Sequence, residues 1–110
     1  MVILRVRVAA QMYVIVWEFI VATENKAQFE AVYGPEGEWA KLFASSEGYL
    51  QTQLLRDTSN LQRYLTLDLW TSRQAHEDFR SQNAAEYQAL DARCECLTMR
   101  EAKLGDFESS

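Results

Sequence analysis

The chain has 110 residues, 25% of them charged and 48% apolar, and a net charge of −5. That length builds one domain around a single core, and the composition is globular rather than disordered or membranous. The acidic balance argues against a nucleic-acid partner, because phosphate binding needs a clustered basic surface.

Residues 1–11 read as an N-terminal extension, disordered or attached as a loose edge strand. They hold Arg5 and Arg7, too few for a basic arm. They are also too short to span a bilayer and lack a signal-peptide cleavage pattern. Residues 12–107 read as the folded domain. MYVIVWEFIV, from Met12 to Val21, is aromatic and β-branched and predicts the first strand. Thr23 stands where it would cap a helix from about Glu24 to Tyr33. Gly34-Pro35-Glu36-Gly37 then breaks the helix, since proline removes a backbone donor and the glycines let the chain re-aim. A second helical piece runs from about Gly37 to Ala44. Phe29, Val32 and Tyr33 before the break, and Trp39, Leu42 and Phe43 after it, keep the spacing of a buried helical stripe. Such a break either opens a cavity against a sheet or is a plain surface loop.

Tyr49 to Arg56 (YLQTQLLR) and Arg63 to Trp70 (RYLTLDLW) read as a hairpin across the turn Asp57-Thr58-Ser59-Asn60. Thr71 or Ser72 caps a helix from about Arg73 to Ser81. A further helix covers Ala84 to Arg93, and Leu97 to Leu104 is the last strand. The order is βαββαβ, so the fold class is α+β, ferredoxin-like, with an antiparallel four-stranded sheet.

Both faces of that sheet are apolar. Tyr13, Ile15, Trp17 and Phe19 alternate with Val14, Val16, Glu18 and Ile20, and Leu65, Leu67 and Leu69 back Tyr64, Thr66 and Trp70. Helices of one chain cover one face only. The other calls for a second copy packed sheet against sheet, so the expectation is an obligate homodimer. Cys94 and Cys96 are one residue apart, poor for a disulfide and too few for a structural zinc site. They read as small buried thiols in a cytoplasmic protein.

The strand ending in Trp70-Thr71-Ser72, with GYLQTQLLRD and RYLTLDLW in the βαββαβ order, resembles the antibiotic biosynthesis monooxygenase-like family of dimeric α+β barrels. The likeness covers about residues 12 to 104, and YGPEGEWAKLF and EYQALDARCECLT mark an uncharacterised branch. The resemblance implies monooxygenation without a cofactor, on a small aromatic or quinone-type substrate held between sheet and helices. A positioned base would remove a proton and the resulting anion would reduce O2. A haem-degrading branch of the superfamily uses an Asn, a Trp and a His. The matching positions here are Trp17, Phe79 and Ala89, which speaks against that activity.

Trp17, Tyr33 and Trp39 are the candidate substrate-binding residues, as walls of a flat pocket; the alternative is ordinary aromatic core. Trp70 reads as packing at the sheet edge. His76, the only histidine, is the candidate for proton handling, or a structural half-buried ring. Glu18 and Asp68, carboxylates inside apolar strands, are reserve bases if burial raises their pKa. Cross-strand pairing with Arg56, Arg63 or Arg100 would explain them without chemistry. Asp91 reads as solvated or capping. There is no phosphate loop, nucleophile elbow, metal-spaced cluster or dinucleotide fingerprint. The reading is therefore no cofactor and no metal; the partners are a second copy and a small aromatic molecule, with neither nucleic acid nor membrane. A rival of another class is a non-catalytic homodimer that binds a small ligand or serves as a stress-related accessory protein.

Overall fold

The aromatic and β-branched run after Met12 forms β1 (Tyr13–Ile20). Two short helices, α1 (Lys26–Tyr33) and α2 (Glu38–Phe43), lead to the hairpin β2 (Tyr49–Arg56) and β3 (Arg63–Trp70). Then come α3 (Arg73–Gln82), α4 (Ala84–Cys94) and β4 (Arg100–Glu108). The computed structural model describes residues 11–110; the other residues of the expected N-terminal extension, 1–10, lie outside the described residues. The strands make one antiparallel sheet in the order β2-β3-β1-β4, the ferredoxin-like arrangement. Among the described residues no helix is long and apolar enough to cross a membrane.

The helix break falls at Gly34–Gly37. The Gly37 N–H donates to the Gly34 carbonyl at 3.0 Å, and α2 starts against the last turn of α1. A Cβ on Gly37 would lie 2.2 Å from the Val32 carbonyl oxygen and 2.4 Å from that of Ala31, so only glycine permits the approach. Thr23 does not act as a cap. It opens a 3-10 turn (Thr23–Asn25) closed by backbone, with the Asn25 N–H on the Ala22 carbonyl at 2.9 Å, which leaves its hydroxyl no capping role. Ser72 does cap α3, accepting from the Ala75 N–H at 3.0 Å. The hairpin turn is held by Asp57, whose Oδ1 accepts from the N–H groups of Ser59 and Asn60 at 2.8 and 3.2 Å.

The last strand runs later than expected. Glu95–Leu97 is a 3-10 turn with Leu97 buried, and β4 begins only at Arg100. Its register on β1, from Ile20 opposite Arg100 to Tyr13 opposite Glu108, sets its bounds, with a bulge between Val16 and Trp17. Cys94 is buried, but Cys96 is exposed on this turn, contrary to the expectation of two buried thiols.

Register also assigns the faces. Tyr13, Ile15, Trp17 and Phe19 stand opposite Trp70, Asp68, Thr66 and Tyr64, and this face is covered by the helices. The core there is aromatic: Phe29 stacks on Tyr33 at 4.3 Å, and Phe43 meets Trp70 and Phe79 at 5.5 and 5.3 Å. On the opposite face Val14, Val16 and Glu18 pair with Leu69, Leu67 and Leu65, flanked by Leu55 on β2 and Phe107 on β4. Leu55 and Phe107 are 46% and 56% exposed. The sheet is therefore apolar on both sides, with no helix over the second among the described residues.

Candidate functional site

A cleft lies between the inner face of the sheet and the helices, in two lobes that share Trp17, Phe43, Asp68 and Tyr87. The first lobe, with a free volume of about 40 Å³, adds Tyr33 and Trp39 from either side of the helix break, Thr52 and Thr66 from the sheet, and Asp91 and Glu101 at its rim. The second, about 120 Å³, adds Trp70, His76, Arg80 and Lys103. By this measure a water needs about 10–15 Å³, so the first lobe holds roughly three waters. A planar ligand enters only if an aromatic side chain turns aside.

Asp68 is the one carboxylate at the centre. It stands on β3 between Thr66 and Trp70, 9% exposed, and the Thr52 hydroxyl donates to its Oδ1 at 2.9 Å. The Tyr49 hydroxyl in turn donates to Thr52 Oγ1 at 2.8 Å, which makes a chain of three polar groups inside an aromatic wall. Among the described residues no cation pairs with Asp68. Burial pushes its carboxyl up to about 6, with the Thr52 hydrogen bond opposing in part. A carboxylate that titrates so close to neutrality is a competent proton acceptor at physiological pH.

Glu18 has the other fate. Facing the uncovered side of the sheet, it receives the Arg63 Nε–H at 2.6 Å, and Arg63 also bonds Asp57 at 3.2 Å. It does not reach the cleft; the expected cross-strand pairing accounts for it and leaves Asp68 without a cation.

His76 lines the second lobe. Its ring meets Trp70 edge-on at 5.2 Å. Burial, with Arg80 and Lys103 nearby, pushes its pKa down to about 4, although Asp106 acts the other way. The imidazole is thus neutral at pH 7 and a weak base, suited to accepting or donating a hydrogen bond. The structure brings Trp17, Tyr33, Trp39 and Asp68 to the first lobe and His76 to the adjoining one. Burial raises the Tyr33 hydroxyl well above its ordinary range. Two indole N–H groups, those of Trp39 and Trp70, are buried with no hydrogen-bond partner of normal geometry. An unpaired buried donor costs about 1–3 kcal/mol, so each is a position where a ligand oxygen would be welcome.

The sequence reading passed over Thr52, Tyr87, Arg80, Lys103 and Glu101, and took Asp91 as a solvated or capping residue. Asp91 is exposed, yet it edges the first lobe. Thr52 was findable: the turn closed by Asp57 and Arg63 fixes a register in which Thr52 faces Asp68. Arg80 lies 4.0 Å over the Tyr87 ring, a contact that spacing alone does not announce. Among the described residues no group of three or more His, Cys, Asp or Glu is placed to hold a metal ion.

Similar architecture occurs in several solved structures. SnoaB of Streptomyces nogalater, a cofactor-independent oxygenase, is 26% identical over 89% of this chain and 92% of its own, with a TM-score of 0.67. A Bordetella bronchiseptica protein assigned as an antibiotic biosynthesis monooxygenase is 20% identical over 91% of this chain and 98% of its own, at a TM-score of 0.69. A Nitrosomonas europaea protein with the same assignment is 14% identical over 90% of both chains, at 0.68. At those lower identities the likeness is one of fold. No curated protein sequence matches the chain. The sequence pattern of the antibiotic biosynthesis monooxygenase family matches residues 12–90, from the start of β1 through most of α4, and the chain belongs to that family.

Proposed function

We propose that this protein is a cofactor-independent monooxygenase that oxidises a small aromatic or quinone-type compound in the cleft between sheet and helices. The observation that carries the reading is Asp68, a buried carboxylate held by Thr52, with no cation paired to it among the described residues, at the meeting point of two aromatic lobes. Family membership and the likeness to SnoaB support the reaction class. Asp68 takes a proton from an acidic C–H or O–H of the bound substrate. The anion passes one electron to O2, and the radical pair joins through a new C–O bond to give a peroxide. The proton returns to the peroxide oxygen; loss of the second C–H proton with O–O cleavage leaves a carbonyl and water. For an anthrone-type substrate the step balances as one methylene and one O2 giving one carbonyl and one water. Trp17, Tyr33 and Trp39 form the walls. His76, neutral and beside Trp70, serves as a hydrogen-bonding group rather than the principal base. Glu18 has no part in the chemistry.

The working unit in this proposal is a homodimer closed over the apolar outer face of the sheet. Leu55, Leu65, Leu67 and Phe107 support it, because each such side chain left wet forgoes about 1.5–3 kcal/mol. The free thiols of Cys94 and Cys96 suit a reducing cytoplasm. The test is O2 uptake with a panel of quinols and anthrones. Protein-dependent consumption is expected, with kcat lowered about 100-fold or more in Asp68→Asn. No uptake above background with any of the panel would leave the rival reading, a non-catalytic binder of small ligands.

A further inference from the structure

The two lobes of the cleft differ in charge. Around the first stand only carboxylates, with Asp68 inside and Asp91 and Glu101 at the rim. Around the second stand Arg80 and Lys103, with the neutral ring of His76 between aromatic walls, and the shared Asp68 at the junction is its one carboxylate. Among the described residues Arg80 and Lys103 form no ion pair, whereas the nearby Arg73 donates to Asp106 at 3.0 Å. Asp106 is occupied further by the Tyr13 hydroxyl at 2.6 Å. Arg80, Lys103 and His76 also line an open depression outside this lobe, which they share with Arg73, Glu77 and Asp106. The Arg80 guanidinium is positioned by the Tyr87 ring beneath it, so its planar donor edge is pre-set. Two cations without an ion pair at one lobe are out of keeping with a chain of net charge −5, and local charge, not the total, decides what a cleft attracts.

We infer that the second lobe receives an anionic group of the substrate, a carboxylate carried on a planar hydroxyarene, between Arg80 and Lys103, while the hydroxyl-bearing end of the ring reaches Asp68. This rests on the reading of the cleft as an oxygenase site and narrows its substrate class. The polarity fits the chemistry. The carboxylate sits at the cationic end, away from Asp91 and Glu101, and Asp68, at the junction of the lobes, meets the end of the ring that loses the proton. The opposite orientation would set the anion among three acidic groups and leave both cations idle. Low pKa on His76 is consistent with the same local positive potential.

The experiment is calorimetric binding of 1-hydroxy-2-naphthoate and of its methyl ester, at low and at moderate salt. The acid is expected to bind about tenfold tighter than the ester, the preference shrinking as salt rises. Arg80→Gln and Lys103→Gln are each expected to remove most of that preference with little change for the ester. Both residues are exposed, so their replacement leaves the core intact, and Arg93→Gln on the far surface should keep the full preference. Equal affinity for acid and ester, including no measurable binding of either, overturns the inference. So does a preference that survives both substitutions. A preserved preference without O2 uptake from any quinol, anthrone or hydroxyaryl acid sinks the oxygenase reading alone and keeps the anion site.

Discussion

Asp68→Asn separates the folding role of this carboxyl from the chemical one proposed for it, and the structure gives the size of the effect. A carboxyl that titrates at about 6 rather than 3.8 resists ionisation in the folded state. The difference corresponds to about 3 kcal/mol at 1.36 kcal/mol per pH unit. The sign follows from proton counts. Between those two values the folded chain holds the proton more tightly than the unfolded one, so stability falls as pH rises. The contribution is fully present below about 3.8 and lost above about 6. His76 acts in the opposite sense, since its folded pKa lies below the ordinary 6.5, and stability from its neutral form is lost as pH falls through that window. The wild-type profile mixes the two slopes, which is why the comparison must be between chains differing only at 68.

Asparagine keeps an oxygen to accept from Thr52 and carries no charge to bury. Asp68→Asn is therefore expected to match the wild type near pH 4 and to exceed it by up to about 3 kcal/mol at pH 7.5. For a domain of this size that is a rise in Tm on the order of 10 °C. The assay is urea unfolding followed by tryptophan fluorescence from pH 4 to 8 at fixed protein concentration, because a dimer's stability depends on concentration. Parallel pH profiles for the two chains would refute the claim that Asp68 is buried without a counter-charge. A variant that is more stable and less active would be a stability–function exchange of the kind expected where a site stores an unfavourable group.

Other predictions follow from the backbone and the outer face. Gly37→Ala should cost about 3 kcal/mol, the upper end for overpacking, because its Cβ meets carbonyl oxygens at 2.2 and 2.4 Å that belong to helix backbone. Denaturant midpoints measure it, and a loss below about 1 kcal/mol would show that α2 can move off α1 freely. Leu67→Asp, on the uncovered face opposite Val16, should convert a dimer to single or aggregated subunits in sedimentation velocity at micromolar concentration. A wild-type chain that sediments as a stable, well-folded single subunit would remove the homodimer from the proposal.

The βαββαβ order and the two-sided apolar sheet were legible because they depend on local composition and on a period of two, both properties of short stretches. β1 and the hairpin carry β-branched and aromatic residues with unmistakable turn chemistry between them. β4 was misplaced for the converse reason. REAKLGDFE is polar along most of its length, and what makes it a strand is the edge of β1 waiting for a partner, a tertiary cause. The cap assigned to Thr23 failed in the same way, a backbone-closed turn doing what a hydroxyl was expected to do.

Glu18 and Asp68 show where the site itself became readable. Each interrupts an apolar strand, and as isolated residues they are indistinguishable. Parity separates them. Once Tyr13, Ile15, Trp17 and Phe19 are known to face the helices, Glu18 must look the other way, toward Arg63 and the outer surface. Register then carries the inner face to β3: Ile15 stands opposite Asp68, so Asp68 points under the helices. A carboxylate in the first position gains a guanidinium partner; one in the second meets a threonine hydroxyl and aromatic rings, and burial raises its pKa. The same argument puts Lys103, opposite Trp17, on the inner face with His76 and Arg80 beside it. The charge of the cleft is thus decided by which residues share a strand face, and a slip of one residue in β3 would turn Asp68 to the outer face and leave the centre of the cleft without a carboxylate.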